Sequence, residues 1–371
     1  MLEKAELRGA CVRFLWADGF AAEFAPAWLW DNAATTAAAV GRQRLRSAQS
    51  LIAAGSIRNL AIAEDVVLIE FADGSVAWSG RQLRENAAPK KDAGADIVLW
   101  SHGGDIAARP AIACSEYLSD DASLAAALSE VARFGIVRLA GAGAEPDEIE
   151  RVVARFGFIR ETNYGRLFEV RVVTDPDNLA FTAQALEPHT DNPYREPAPT
   201  LQLLHCLRNS GTGGATTFID GFALAEWFRD CHPEDFLRLA QHAVPFAFTN
   251  SAGDCYVART PVIRLSANGD IQGLRFNHRA LGSVDFPADE TALWYRSYLA
   301  FAKEADASAR RFPFAMKPGD VVIFDNERIL HGREAFSSAS DRLLRGCYAD
   351  RDALKATLAR LSHRRSVRAF R

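Results

Sequence analysis

The stretch Glu187-Pro188-His189-Thr190-Asp191-Asn192-Pro193-Tyr194 decides how this chain is read. Side chains two apart in an extended segment point to the same face, so His189 and Asp191 offer one nitrogen and one carboxylate oxygen to a single ion. A lone His-x-Asp pair is weak evidence, because such pairs arise by chance on surfaces. Support comes further along. The turn Lys317-Pro318-Gly319-Asp320 feeds an apolar run, Val321-Val322-Ile323-Phe324, which leads into Asp325-Asn326-Glu327-Arg328-Ile329-Leu330-His331-Gly332-Arg333. His331 then stands where a strand end points into a barrel mouth. Two histidines and one carboxylate form the facial triad that holds non-haem Fe(II) and leaves positions open for co-substrate and oxygen. A helix or turn cap is the plainer alternative for His331. The other histidines lack ligand spacing, and His205, behind Leu203-Leu204, reads as a hydrogen-bonded core residue.

Iron of this type needs a two-electron reductant, and 2-oxoglutarate is the common one. Its far carboxylate wants a bidentate arginine and a hydroxyl. Arg342 lies eleven residues after His331, at the start of Leu343-Leu344-Arg345-Gly346-Cys347-Tyr348. An antiparallel strand adjacent to that of His331 would bring it back beside the metal. In Gly213-Gly214-Ala215-Thr216 two glycines permit a tight turn that aims the Thr216 hydroxyl at the pocket.

Outward from these motifs, the 371 residues carry a net charge of -4, which gives no basic surface for nucleic acid or an anionic membrane. The basic tail from Arg360 to Arg371 reads as a solvated end. The start lacks a basic segment followed by an apolar one, and no apolar run approaches the ~18 residues a membrane span needs. Six scattered cysteines without a CxxC pair suit a reduced, cytoplasmic protein. Val12-Arg13-Phe14-Leu15-Trp16 and Val66-Val67-Leu68-Ile69-Glu70-Phe71 read as strands, with a hairpin turn at Ala72-Asp73-Gly74-Ser75. They predict a small β-rich domain over 1–90. The segment from Glu85 to Gly94 reads as a linker, and a second domain follows over 97–371. There a helix is expected over Leu124 to Phe134, a strand over Gly135 to Leu139, and short strands with glycine turns from Thr200 on. The expected class is α+β, built around a double-sheet barrel or jelly roll.

Together these motifs resemble the taurine dioxygenase superfamily, and more closely its γ-butyrobetaine hydroxylase branch. The matching stretches are Tyr164-Gly165-Arg166-Leu167-Phe168, the segment from His189 to Tyr194, Leu201-Gln202-Leu203-Leu204-His205-Cys206, Gly213-Gly214-Ala215-Thr216, Phe276-Asn277, His331-Gly332-Arg333 and Gly346-Cys347-Tyr348-Ala349-Asp350. The resemblance implies a jelly-roll (double-stranded β-helix) catalytic domain behind a small N-terminal β domain, a homodimer, and an aromatic cage for a trimethylammonium group, carried over to Tyr164, Phe168, Phe181 and Tyr348. Such an ion donates no hydrogen bond, so π-faces are its natural partners. Contacts to the substrate's anionic end carry over to Asn178 and the Asn277-His278 segment.

Two departures stand out. Many relatives hold zinc in the N-terminal domain through a cysteine cluster, whereas here Trp30-Asp31-Asn32 is followed by Ala33-Ala34-Thr35-Thr36-Ala37, so no zinc is expected. His278 stands where many relatives have asparagine, and beside Arg279 it suits a more highly charged anion. The resemblance includes hydroxylases of 2-(trimethylamino)ethylphosphonate, and that is the favoured expectation, with γ-butyrobetaine to carnitine as the alternative. A jelly roll that binds without catalysis is disfavoured by the intact triad and Arg342. A sulfonate- or carboxylate-specific dioxygenase whose substrate carries no quaternary amine is disfavoured by the four aromatics.

Overall fold

The computed structural model describes residues 1–33, 47–87, 96–145, 147–171, 182–210, 213–250, 253–337 and 341–369. Its contacts divide the chain into two units, Met1–Gly94 and Ala95–Arg371. The first holds strands β1 (Leu2–Arg8), β2 (Cys11–Trp16), β3 (Ala21–Phe24), β4 (Ile57–Ala63), β5 (Val66–Phe71) and β6 (Gly74–Ser79). They form two antiparallel sheets, β1-β2-β3 and β4-β5-β6. β5 alternates as its sequence predicts: Val67, Ile69 and Phe71 are buried while Val66, Leu68 and Glu70 face out. Phe14, Trp16, Trp30, Ile69 and Trp78 lie in its apolar core. The helix Pro26–Asp31 ends within Trp30-Asp31-Asn32, and residues 34–37, on which the zinc expectation turns, lie outside the described residues.

The second unit continues with β7 (Ile112–Ala113), β8 (Ile136–Ala140), β9 (Phe168–Val170), β10 (Leu186–His189), β11 (Leu201–Asn209), β12 (Thr216–Asp220), β13 (Val244–Thr249), β14 (Cys255–Thr260), β15 (Ile263–Leu265), β16 (Ile271–Leu274), β17 (Phe312–Phe314), β18 (Val321–Asp325), β19 (Ile329–Arg333) and β20 (Arg342–Ala349). Two sheets make the jelly roll: a larger one ordered β7-β8-β18-β11-β20-β9 and a smaller one ordered β10-β19-β12-β17. Alternation sorts the larger sheet's side chains. Leu201, Leu203, Val321 and Ile323 pack outward with the helices. Leu204, Cys206, Val322 and Phe324 pack inward with Phe218 and Ile329 of the smaller sheet. The expected helix forms as Asp121–Phe134: the Asp120 side chain accepts from Ser123 N, and Gly135, at φ 80°, closes it in the left-handed region.

One expectation fails here. β20 lies in the larger sheet between β11 and β9, so Arg342 is not on a strand adjacent to His331, which sits in β19 of the smaller sheet. Consecutive strands of a jelly roll pass from one sheet to the other, and Arg342 faces the site from the opposite wall. His205 is fully buried on the helix-facing side of β11, with the Gly143 backbone beside its ring. Among the described residues, no helix is long and apolar enough to cross a membrane.

Candidate iron and co-substrate site

The antiparallel pairing of β10 with β19 sets His189 directly opposite His331, with ring centroids 4.3 Å apart. His331 is therefore a mid-strand residue and not a cap. Asp191 joins them just past β10. His189 Nε2 lies 3.3 Å from Asp191 Oδ1, and His331 Nε2 lies 3.7 Å from Asp191 Oδ2. The three ligand atoms all fall within 4.8 Å of one another. Among the described residues this is the cluster of histidine and carboxylate side chains that could hold a metal.

Backbone bonds hold these groups in place. Nδ1 of His189 lies 2.8 Å from the Glu187 carbonyl, which can only accept, so the proton sits on Nδ1 and the Nε2 lone pair faces the ion site. Asn326 clamps Asp191 from 135 residues away: its Oδ1 accepts from Asp191 N (2.8 Å) and its Nδ2 donates to Asp191 O (3.0 Å). Asn192 takes φ 52°, a left-handed conformation that asparagine tolerates better than most side chains, and the Tyr194 hydroxyl donates to its Oδ1 (2.8 Å). Burial, with the adjacent His331, pushes the His189 imidazole down to about 4, so it is neutral at pH 7, the ligating form. Burial alone would raise the Asp191 carboxyl, but the adjacent His331 and His189 rings hold it well below the usual range.

On the opposite wall Arg342 is 5% exposed, and its Nε and Nη1 have no hydrogen-bond partner among the described residues. Its Nη2 reaches Thr216 Oγ1 at 3.4 Å. A buried guanidinium with open N–H groups is costly unless an anion completes it. A carboxylate beside Thr216, as 2-oxoglutarate would present, does so. Gly213 and Gly214, at φ 83° and 67°, make the turn that delivers Thr216, and a Cβ on Gly214 would press the Phe336 ring. Both histidines, Asp191, Thr216 and Arg342 line one cavity of about 360 Å³, in the range of small-molecule sites.

Aromatic rings form the rest of the wall. Tyr164 lies 6.3 Å from Phe168, and Phe168 lies 5.1 Å from Tyr348. Phe168 rests against Gly346 of β20, where any Cβ would overlap its ring. Phe248 and Tyr194, stacked at 5.0 Å, extend this wall and were not read from the sequence; Phe248 lies 5.9 Å from Tyr164. Phe181 and Asn178 lie outside the described residues. Asn277 lines the cavity, its Nδ2 donating to Thr190 O and its Oδ1 accepting from Arg279 N. His278 corrects an expectation: it is exposed, with its ring 5.8 Å from that of Tyr298, and is absent from the cavity lining. The short 3-10 turn His278–Ala280 sends successive side chains in different directions, so Arg279 and Ala280 reach the cavity and His278 does not. The Arg279 side chain, exposed at the mouth, makes no hydrogen bond or ion pair among the described residues.

A barrel that turns two imidazoles and a carboxylate toward a guanidinium without an ion-pair partner among the described residues is built for iron with 2-oxoglutarate, and the chain is a 2-oxoglutarate-dependent dioxygenase. The family model for the taurine catabolism dioxygenase TauD, TfdA family matches residues 101–348. The gamma-butyrobetaine dioxygenase of Pseudomonas sp. (strain AK-1) is 32% identical over 363 residues, covering 92% of this chain and 91% of that protein. The mitochondrial trimethyllysine dioxygenase of Gallus gallus is 28% identical over 338 residues, covering 88% of this chain and 80% of that protein. The solved structure of the non-heme iron oxygenase OrfP in complex with Fe and alpha-ketoglutaric acid superposes with a TM-score of 0.48 at 17% identity, covering 64% of this chain and 83% of that one. The chain belongs to the TauD/TfdA dioxygenase family, in the branch that holds the gamma-butyrobetaine dioxygenases.

Proposed function

We propose that this dioxygenase hydroxylates a small zwitterion carrying a trimethylammonium group at one end and an anion at the other. His189, Asp191 and His331 hold the iron, while Arg342 and Thr216 hold the far carboxylate of 2-oxoglutarate. Iron, 2-oxoglutarate and O2 together supply the oxidising power that hydroxylates a C–H bond, with succinate and CO2 as co-products. The chain's own contribution is placement. Tyr164, Phe168, Phe181 and Tyr348 offer π-faces to the cation, and Arg279, with Asn178 and Asn277, meets the anion, so a carbon between the two ends is fixed beside the metal.

The observation that carries this reading is the pairing, in one cavity, of an aromatic wall with the Arg279 guanidinium, which makes no ion pair among the described residues. The favoured substrate is 2-(trimethylamino)ethylphosphonate, giving its 1-hydroxy product. A guanidinium that makes no ion pair among the described residues suits a doubly charged phosphonate, and Arg279 carries that preference without His278. The second reading, γ-butyrobetaine to carnitine, is supported by the name of the Pseudomonas relative.

The test compares kcat/KM for 2-(trimethylamino)ethylphosphonate, 2-aminoethylphosphonate and γ-butyrobetaine. The trimethylated phosphonate is expected to be fastest. Preference for the primary amine overturns the cage, whereas preference for γ-butyrobetaine keeps the cage and overturns the phosphonate. A desolvated cation–π contact is worth about 2 kcal/mol, so Tyr164→Ala should lower kcat/KM about thirtyfold.

A further inference from the structure

Tyr348 does more in this cavity than present a ring. Its hydroxyl lies 2.8 Å from Asp191 Oδ2 and donates to it. The phenol is buried. Asp191 thus has its backbone clamped by Asn326 and one carboxylate oxygen held by Tyr348. A carboxylate ligand is free to rotate about its last bond unless a neighbour holds one oxygen, and such partners orient ligands and tune metal affinity. Phe168 packs on the same Tyr348 ring from the cavity side. The bond links two strands that share no register: Tyr348 is in β20 of the larger sheet, and Asp191 follows β10 of the smaller one.

We propose that Tyr348 is a positioning residue for the metal-binding carboxylate, its O–H fixing Asp191 Oδ2 so that the carboxylate meets iron in one orientation. The inference rests on the iron reading of His189, Asp191 and His331 and is independent of the substrate. It has a consequence for the substrate nonetheless. A cation packed on the Tyr348 ring restrains the group that restrains the ligand, so occupancy and iron retention become linked, and the linkage is reciprocal.

Tyr348→Phe deletes the hydroxyl and keeps the ring. Tyr164→Phe is the control, since its hydroxyl sits 3.2 Å from that of Tyr194 and not on Asp191. Fe(II) retention is measured anaerobically, without substrate, by competition with a colorimetric ferrous chelator. Tyr348→Phe should release iron at about tenfold lower chelator concentration, in line with the loss of such partners at other metal sites, and Tyr164→Phe should match wild type. Melting with and without Fe(II) guards against a folding defect: the rise in Tm on adding Fe(II) should shrink in Tyr348→Phe whatever the stability of the iron-free form. Under turnover, Tyr348→Phe should form more succinate per hydroxylated product. Unchanged iron retention with a raised substrate KM makes Tyr348 a wall only and overturns the proposal. Equal loss in both variants overturns it too. Failure of the substrate reading leaves the chelator result standing, whereas failure of the iron reading is recognised separately by His331→Ala retaining iron.

Discussion

The two sheets of the barrel face one cavity and furnish it differently. The smaller sheet brings the metal ligands, two of them with protein bonds already made: His189 Nδ1 lies on the Glu187 carbonyl and Asp191, just past β10, is clamped by Asn326, while His331 Nδ1 has no partner among the described residues. The larger sheet brings groups left incomplete, among them Arg342 with two open nitrogens and Gln202 with a buried, unpartnered Oε1. Rigid ligands suit an ion whose geometry must be imposed. Open donors and acceptors suit molecules that come and go, because each arriving group completes a bond the protein lacks. The division of labour teaches that damage to either wall should be separable by assay.

Breaking the smaller sheet's contribution gives the largest effect. His189→Ala or His331→Ala should abolish tight Fe(II) binding and turnover, measured by metal analysis and succinate formation, and wild-type turnover with iron alone would collapse the distinction between the walls. Breaking the larger sheet's contribution comes next. Arg342→Ala should raise the KM for 2-oxoglutarate roughly a hundredfold, the loss of two charge-assisted hydrogen bonds at about 1.5 kcal/mol each, while Fe(II) binding without co-substrate is retained. Loss of iron in this variant would show that the walls are not independent. A finer cut within the larger sheet is Gly346→Ala. Its methyl displaces Phe168, and a substrate KM about tenfold higher with an unchanged 2-oxoglutarate KM would place the effect on the aromatic wall alone.

The smallest effect is on iron-free stability against pH. The His189 imidazole titrates near 4 in the folded chain and near 6.5 when unfolded. The unfolded form therefore binds more protons between those values, and stability is intact above about 6.5 and lost as pH falls toward 4. The slope from this group should be at most about 1.4 kcal/mol per pH unit, and His189→Ala should flatten it in denaturant titrations.

How much of this was legible depends on range. The ligand residues could be read because strand alternation is a local rule: His189 and Asp191 are two apart, and His331 lies within a strand framed by its own turn. Thr216 follows from its glycines in the same way. Arg342 was legible as a residue but misplaced, because strand order in a jelly roll does not follow sequence order. Asn326, Phe248 and the hydroxyl contact of Tyr348 with Asp191 were missed, since each depends on segments about eighty to 160 residues from its partner with no spacing signal between them. His278 failed for a local reason, a single turn of 3-10 helix that rotates it out of the cavity.

The clamp between Asn326 and Asp191, like the strand pairing of His189 with His331, also sets a timetable. During synthesis the first two ligands emerge well over a hundred residues before the third, and nothing encoded earlier can stand in for β19. The growing chain therefore lacks a complete cradle for redox-active iron until its last strands are made, by which time the surrounding walls that confine oxygen chemistry are nearly all present. Long-range closure of this kind slows folding, and here the same delay keeps an unfinished protein from being a competent oxidant.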